Sequence, residues 1–189
     1  MNRTLARHGF PVHPFGAYRL FIGDGVEMLA ERALPPHAGG LRDQVVLEYR
    51  ADYAKNLLQH TRLYPGMAAC LDGLVERRVK LGILSNKLDG PTREIASALL
   101  GRWPFLAVFG ERIGIPRKPD PRSALEVARM LGVAPAGCTF VGDTSIDMLT
   151  AVAAGMVPVG VSWGFRPAAL QEAGAVAVLE HPEALLSRF

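Results

Sequence analysis

The chain has 189 residues, 49% of them hydrophobic and 21% charged, with a net charge of +3. That size and balance suit one large globular domain, or one domain with a smaller attachment. There is no polybasic tail, no interleaving of basic and aromatic residues and no apolar run near the roughly 18 residues of a membrane span, so nucleic acid and membrane are poor partners. Cys70 and Cys138 lie in apolar runs outside any Cys-x-x-Cys, which reads as reduced thiols in a cytoplasmic protein. The opening MNRTLARHGF lacks the apolar stretch of a secretion signal.

Up to residue 63 every periodic segment reads as helix. Leu5 is followed by Gly9 and Pro11, a helix-stop pattern. Residues 15–34 carry apolar positions at Tyr18, Phe21, Ile22, Val26, Leu29 and Ala33, and Gly23-Asp24-Gly25 divides them into two short helices. Pro35-Pro36 forces a connection. Over 41–60, Val46, Tyr49, Tyr53 and Leu57 recur at spacings of three and four, which predicts an amphipathic helix.

After Tyr64-Pro65-Gly66 the pattern changes. Short runs that are apolar throughout (79–84, 106–110, 138–142, 156–163 and 175–179) alternate with helical stretches near 66–77, 90–100, 121–131, 146–154 and 167–173. Such runs predict parallel strands covered on both faces. The expected fold is therefore α/β, a doubly wound Rossmann-like parallel sheet over residues 64–189, preceded by a small helical unit over 1–63. Ligands in such sheets bind beyond the carboxyl ends of the strands.

Three polar signals sit where such a sheet would place a site. The strand 79–84 runs into Ser85-Asn86-Lys87, a hydroxyl and an amide able to bond phosphate oxygens, although both residues are also ordinary turn formers. In PRKPDP (116–121), Pro119 and Pro121 stiffen the backbone around Lys118, whose ammonium either neutralises a phosphate or is a surface charge in a turn. In FVGDTSIDM (140–148), Asp143 and Asp147 follow a strand end. Paired carboxylates there suit Mg²⁺, which takes few protein ligands and keeps waters and substrate phosphate. The plainer reading is that Asp143 or Thr144 caps the next helix. The histidines show no metal-ligand spacing, and neither GxxxxGK[ST] nor GxGxxG occurs.

In this order the three signals resemble the haloacid dehalogenase-like hydrolase superfamily. YPGM, LSNK, FLAVFGERIGIPRKPDP, FVGDTSIDM and VSWGFR look like its phosphoglycolate phosphatase branch, and residues 1–63 are similar to the small helical cap of those enzymes. The resemblance implies a Mg²⁺-dependent phosphomonoesterase that works through an aspartyl phosphate on a small phosphorylated metabolite, with 2-phosphoglycolate preferred. It implies that Ser85 and Asn86 hold the phosphoryl group, that Lys118 stabilises its charge and that Asp143 and Asp147 bind the metal.

The resemblance also implies a first strand ending in Asp-x-Asp-x-Thr, lying mid-sheet between 79–84 and 138–142. This chain has aspartates at 24, 43, 52, 72, 89, 120, 143 and 147, and no two are two residues apart. The expectation is thus a truncated form without its nucleophile, inactive as it stands, with two apolar strand edges facing a gap. The alternative is a non-catalytic remnant that binds phosphate or a protein. Either a monomer or a homodimer is compatible with such edges.

Overall fold

In the computed structural model, which describes all residues from Met1 to Phe189, the first strand begins only at Leu81. The chain divides into two units, Met1–Thr61 and Arg62–Phe189.

The first unit holds helices α1 (Asn2–Arg7), α2 (Tyr18–Phe21), α3 (Val26–Ala33) and α4 (Arg42–Asn56). Gly23 and Gly25 adopt φ of 115° and 95°. Side chains with a Cβ avoid that region, so this pair enforces the break between α2 and α3. The core gathers Leu5, Ala30, Ala33, Val45 and Val46. Of the apolar stripe expected on α4, Val46 and Leu57 are buried, while Tyr49 and Tyr53 are half-buried and stack with ring centroids 5.5 Å apart. Burial and the neighbouring Tyr53 push the Tyr49 hydroxyl up to about 12. Val45 lies off that stripe yet is fully buried, because α1 brings Leu5 into the same cluster. Arg3 of α1 pairs with Asp52 of α4 (3.0 Å), and the His8 ring, just past α1, shares a hydrogen bond with Glu48 (3.0 Å).

The second unit alternates helices α5 (Met67–Glu76), α6 (Asp89–Leu100), α7 (Arg122–Leu131) and α8 (Ser145–Ala153) with strands β1 (Leu81–Leu88), β2 (Phe105–Glu111), β3 (Thr139–Gly142), β4 (Val157–Val161) and β5 (Ala177–Leu179). All pairings are parallel, so the fold is α/β with Rossmann-like alternation. The helix expected over 167–173 is only the 3₁₀ turn Pro167–Ala169. The stretch between Pro167 and Gly174, where φ is 104°, is too short for cooperative helix growth, and Leu170 alone anchors it.

The strands do not form one sheet. β1 pairs with β2, and β3–β4–β5 form a separate group in that order. No ladder joins β1 to β3. Helical layers nevertheless cover both groups. Cys70, Leu71 and Leu74 of α5 pack with Leu81 of β1, Val159 of β4 and Leu179 of β5. On the other side, Ala124 and Ala128 of α7 and Ala151 of α8 pack with Leu84 of β1 and Phe140 of β3. Leu81 and Leu84 are three apart, so they point to opposite faces of their strand. The two clusters therefore lie on the two faces.

Burial marks the seam. In β4 every residue from Pro158 to Val161 is buried, as a central parallel strand should be. In β1 nothing beyond Leu81 is buried, and in β3 nothing is. Val141, in the middle of an apolar strand, is 39% exposed.

Candidate active site

The carboxyl ends of β1 and β3 meet at Lys118. Its Nζ lies 2.6 Å from Asp147 Oδ1 and 3.4 Å from the carbonyl oxygen of Leu84, near the end of the regular β1 ladder. The ammonium also stands 5.9 Å from the Phe140 ring of β3. Both partners of the Lys118–Asp147 pair are nearly enclosed, with side chains 12% and 7% exposed.

Asn86 fixes the backbone that carries this lysine. Its Nδ2 donates to the Lys118 carbonyl (3.1 Å), and its Oδ1 accepts from the Lys118 N–H (2.9 Å). An amide nitrogen has two N–H donors, so one remains for a ligand. The Ser85 hydroxyl accepts from the Lys87 N–H (3.1 Å), which leaves its own O–H free to donate. The segment after Ser85 is anchored in turn by Asp89. That carboxylate accepts from Arg93 (2.6 Å) and from the Gly110 N–H at the end of β2 (2.8 Å). The Arg93 guanidinium first, and the Gly110 amide second, hold its carboxyl below the usual range.

Asp147 serves two structures at once. Thr144 caps α8, and Asp147 returns the bond as its third residue, with Oδ2 accepting from Thr144 N (3.1 Å) and Oγ1 (2.8 Å). The plainer reading of the motif is thus present too, with Thr144 as the cap. Oδ1 faces Lys118, so both carboxylate oxygens of Asp147 are engaged within the protein. Asp143, just beyond β3, accepts from the Phe165 N–H through Oδ2 (2.7 Å), and its Oδ1 takes no protein hydrogen bond.

Two glycines make room for these carboxylates. A Cβ on Gly142 would fall 2.2 Å from Asp147 Cβ, and one on Gly164 would fall 2.1 Å from Asp143 Cβ. Neither glycine, nor the Phe165 amide, is marked as part of a site in the sequence, although FVGD and WGF both display the glycine. The structure therefore brings Ser85, Asn86, Lys118, Asp143 and Asp147 to the adjoining ends of β1 and β3. No group of three or more His, Cys, Asp or Glu side chains is placed to hold a metal. No aspartate lies within β1, β2 or β3.

The sequence profile of the haloacid dehalogenase-like hydrolases matches residues 3–155, most of the chain. The chain belongs to the haloacid dehalogenase-like hydrolase family. A relative in Rhodospirillum rubrum, a phosphoglycolate phosphatase, is 31% identical over 188 residues, spanning 95% of this chain and 78% of its own. A phosphoglycolate phosphatase of Mesorhizobium japonicum is 29% identical, spanning 98% of this chain and 83% of its own. Among solved structures, a phosphoglycolate phosphatase candidate from Lactobacillus delbrueckii subsp. bulgaricus superposes with a TM-score of 0.88 at 26% identity, covering 99% of this chain and 88% of that one. No helix of this haloacid dehalogenase-like protein is long and apolar enough to cross a membrane.

Proposed function

We propose that the cluster at the ends of β1 and β3 is the phosphoryl-binding part of a cytoplasmic phosphomonoesterase with 2-phosphoglycolate as its substrate, and that residues 1–63 act as its cap. The observation that carries this reading is the Lys118 ammonium, fixed by Asn86 and Asp147 beside two uncommitted donors, Ser85 Oγ and one Asn86 N–H. A cation and neutral donors around one point suit a transition state whose charge spreads over three phosphoryl oxygens. The phosphoglycolate phosphatase relatives support the choice of substrate.

The donor set fits Mg²⁺. Asp143 Oδ1 is a hard oxygen donor without a protein partner, and Mg²⁺ takes one or two carboxylates and completes its shell with water and substrate oxygens. Asp143 would hold the ion. Asp147, with both oxygens engaged, would orient Lys118 and the α8 turn beside it. When bound, the ion neutralises negative charge on the phosphoryl group.

The reaction needs a carboxylate that the chain does not place at the seam. An aspartate on a strand between β1 and β3 would attack phosphorus, and the ester P–O bond would break as an adjacent acid protonates the glycolate oxygen. Water would then attack the acyl phosphate, pass a proton back to that group and release inorganic phosphate. The 189-residue chain alone is accordingly proposed to be inactive. The unpaired edges of β1 and β3 favour a second reading of it, a remnant that binds phosphate or a protein strand without turnover.

The test is release of inorganic phosphate by a form extended with about 20 residues ahead of Met1, enough for one strand and a turn. This form should hydrolyse 2-phosphoglycolate faster than a sugar phosphate or a nucleotide. Equal rates on all three would remove the substrate assignment.

A further inference from the structure

We propose that Glu111 and Arg117 are positioning residues for the Lys118 ammonium: their ion pair fixes the end of the loop that delivers the lysine, and with it the affinity of the site for a phosphoryl dianion. The affinity part rests on the phosphatase reading above. The positioning part does not.

The segment that carries Lys118 leaves the sheet at the end of β2 and becomes regular again at α7. At its tip the loop 112–117 stands away from the fold. The Ile113 side chain is fully exposed, and Gly114, at φ 77°, would have no atom within 4 Å of an added Cβ. A small cavity lined by Ser85, Asn86, Ile115 and Pro116 separates the loop from the end of β1, so the loop does not pack down on that strand. A turn bond from the Ile115 N–H to the Arg112 carbonyl (3.2 Å) shapes the tip alone.

A tie across the base sets where the loop ends. Arg117 Nε donates to Glu111 Oε1 at 2.6 Å. Glu111 closes β2, where it stands in register with Leu88 of β1, and Arg117 immediately precedes Lys118. The pair therefore references Lys118 to the sheet. The link is direct, because the N–H gripped by Asn86 belongs to the Arg117–Lys118 peptide.

The residue next to Glu111 makes a second tie. Arg112 lies 4.0 Å over the Phe109 ring and holds Glu126 of α7 with two nitrogens, at 2.6 and 3.1 Å. Adjacent residues at the end of β2 thus fix the chain just before Lys118 and the helix just after it. A charge that must meet a ligand has to be held within about 0.5 Å of its working place. The Glu111–Arg117 pair supplies that precision rather than stability. Its side chains are 22% and 34% exposed, and partly solvated pairs contribute little to folding.

Charge alone predicts the opposite sign. Removing the Glu111 carboxylate takes a negative charge away from an anion site, which would tighten phosphate binding. Loss of positioning weakens it.

The test uses the 189-residue chain, a Glu111→Gln variant and a variant with the pair exchanged, Glu111→Arg with Arg117→Glu. Inorganic phosphate is titrated in with Mg²⁺ present. NMR follows the amide signals of Ser85, Asn86 and Lys118, and hydrogen exchange at the Lys118 N–H. Glu111→Gln should weaken phosphate binding about tenfold, the lower end of what losing one hydrogen bond to a charged group costs. It should speed exchange at the Lys118 N–H by a similar factor, while its thermal melt stays near that of the parent. The exchanged pair should bring both values back towards the parent.

Unchanged Lys118 exchange in Glu111→Gln overturns the proposal. So does phosphate binding by that variant that is unchanged or tighter, or an exchanged pair that stays as loose as the single change. A parent chain whose signals ignore phosphate, with exchange responding as expected, keeps the positioning pair and overturns the phosphatase reading.

Discussion

The side-chain amide of Asn86 grips the peptide of Lys118 from both sides, accepting from its N–H at 2.9 Å and donating to its carbonyl at 3.1 Å. This clamp converts a lysine on a proline-rich loop into a charge with a fixed origin. Asp147 then fixes the other end of the side chain. Lys118 is therefore held at its backbone by Asn86 on the β1 side of the seam and at its tip by Asp147 at 2.6 Å on the β3 side, with the Leu84 carbonyl of β1 at 3.4 Å.

Removing the clamp should loosen the loop. Asn86→Ala deletes two hydrogen bonds, each contributing about 1 kcal/mol, so unfolding free energy should fall by about 2 kcal/mol. Asn86→Asp keeps the acceptor for the Lys118 N–H but sets a carboxylate oxygen against the Lys118 carbonyl. It should be destabilised at least as much. Urea midpoints of the two variants check the order.

The Lys118–Asp147 pair should behave as a buried unit. Lys118→Met strands a nearly enclosed carboxylate, and breaking such a pair on one side costs about 3–5 kcal/mol. Asp147→Ala also removes the reciprocal α8 cap, worth about 1 kcal/mol more. The double variant should be less destabilised than the sum of the two, because no charge is left without its partner. Denaturant unfolding of all four proteins measures that coupling.

Gly164→Ala tests how Asp143 is held. The added Cβ would fall 2.1 Å from Asp143 Cβ and 2.3 Å from Oδ2, so the carboxylate must move. Overpacking of this kind costs about 1–3 kcal/mol. In the strand-extended form the change should also raise the Mg²⁺ concentration needed for phosphate release. Gly90→Ala is the comparison, since nothing lies within 4 Å of its added Cβ and its φ is not positive. Thermal melts and Mg²⁺ titrations should separate the two variants.

Acid should weaken the Ser85–Asp89 corner. Arg93 and the Gly110 amide depress the Asp89 carboxyl below its ordinary 3.8. Its folded-state value thus lies under its unfolded one, and the unfolded chain binds the proton more readily. The stabilisation is complete above about pH 4 and drains away as pH falls through the folded value. Urea unfolding followed from pH 6 to pH 3 should show a smaller acid loss in Asp89→Asn than in the parent chain.

How much of this was legible in the sequence depends on how local the cause is. The β strands were readable because parallel strands are apolar throughout, and the α2–α3 break because Gly23 and Gly25 carry φ that other residues avoid. The helix expected at 167–173 failed because apolar spacing reports a buried face, and a turn with Leu170 as its single anchor shows much the same spacing. Val45 escaped because its burial depends on α1, forty residues away in sequence. Within the site, Ser85, Asp143 and Asp147 stood out as polar residues at or just beyond strand ends, and Lys118 as a cation on a proline-stiffened segment before a helix. The Asn86 clamp joins residues 32 apart, and the Phe165–Asp143 bond joins residues 22 apart. Such bonds depend on how two loops meet, which no spacing records.

The measurement that bears most directly on the account is Mg²⁺-dependent phosphate release from 2-phosphoglycolate, compared between the 189-residue chain and the same chain with a strand bearing Asp-x-Asp in the seam. The account predicts no release above background from the first. It predicts release from the second that is lost on removing Mg²⁺ and in Asp143→Asn. Mg²⁺-dependent turnover by the 189-residue chain alone, abolished by Asp143→Asn, would mean that the nucleophile lies within these residues and that the seam is not where the acceptor enters.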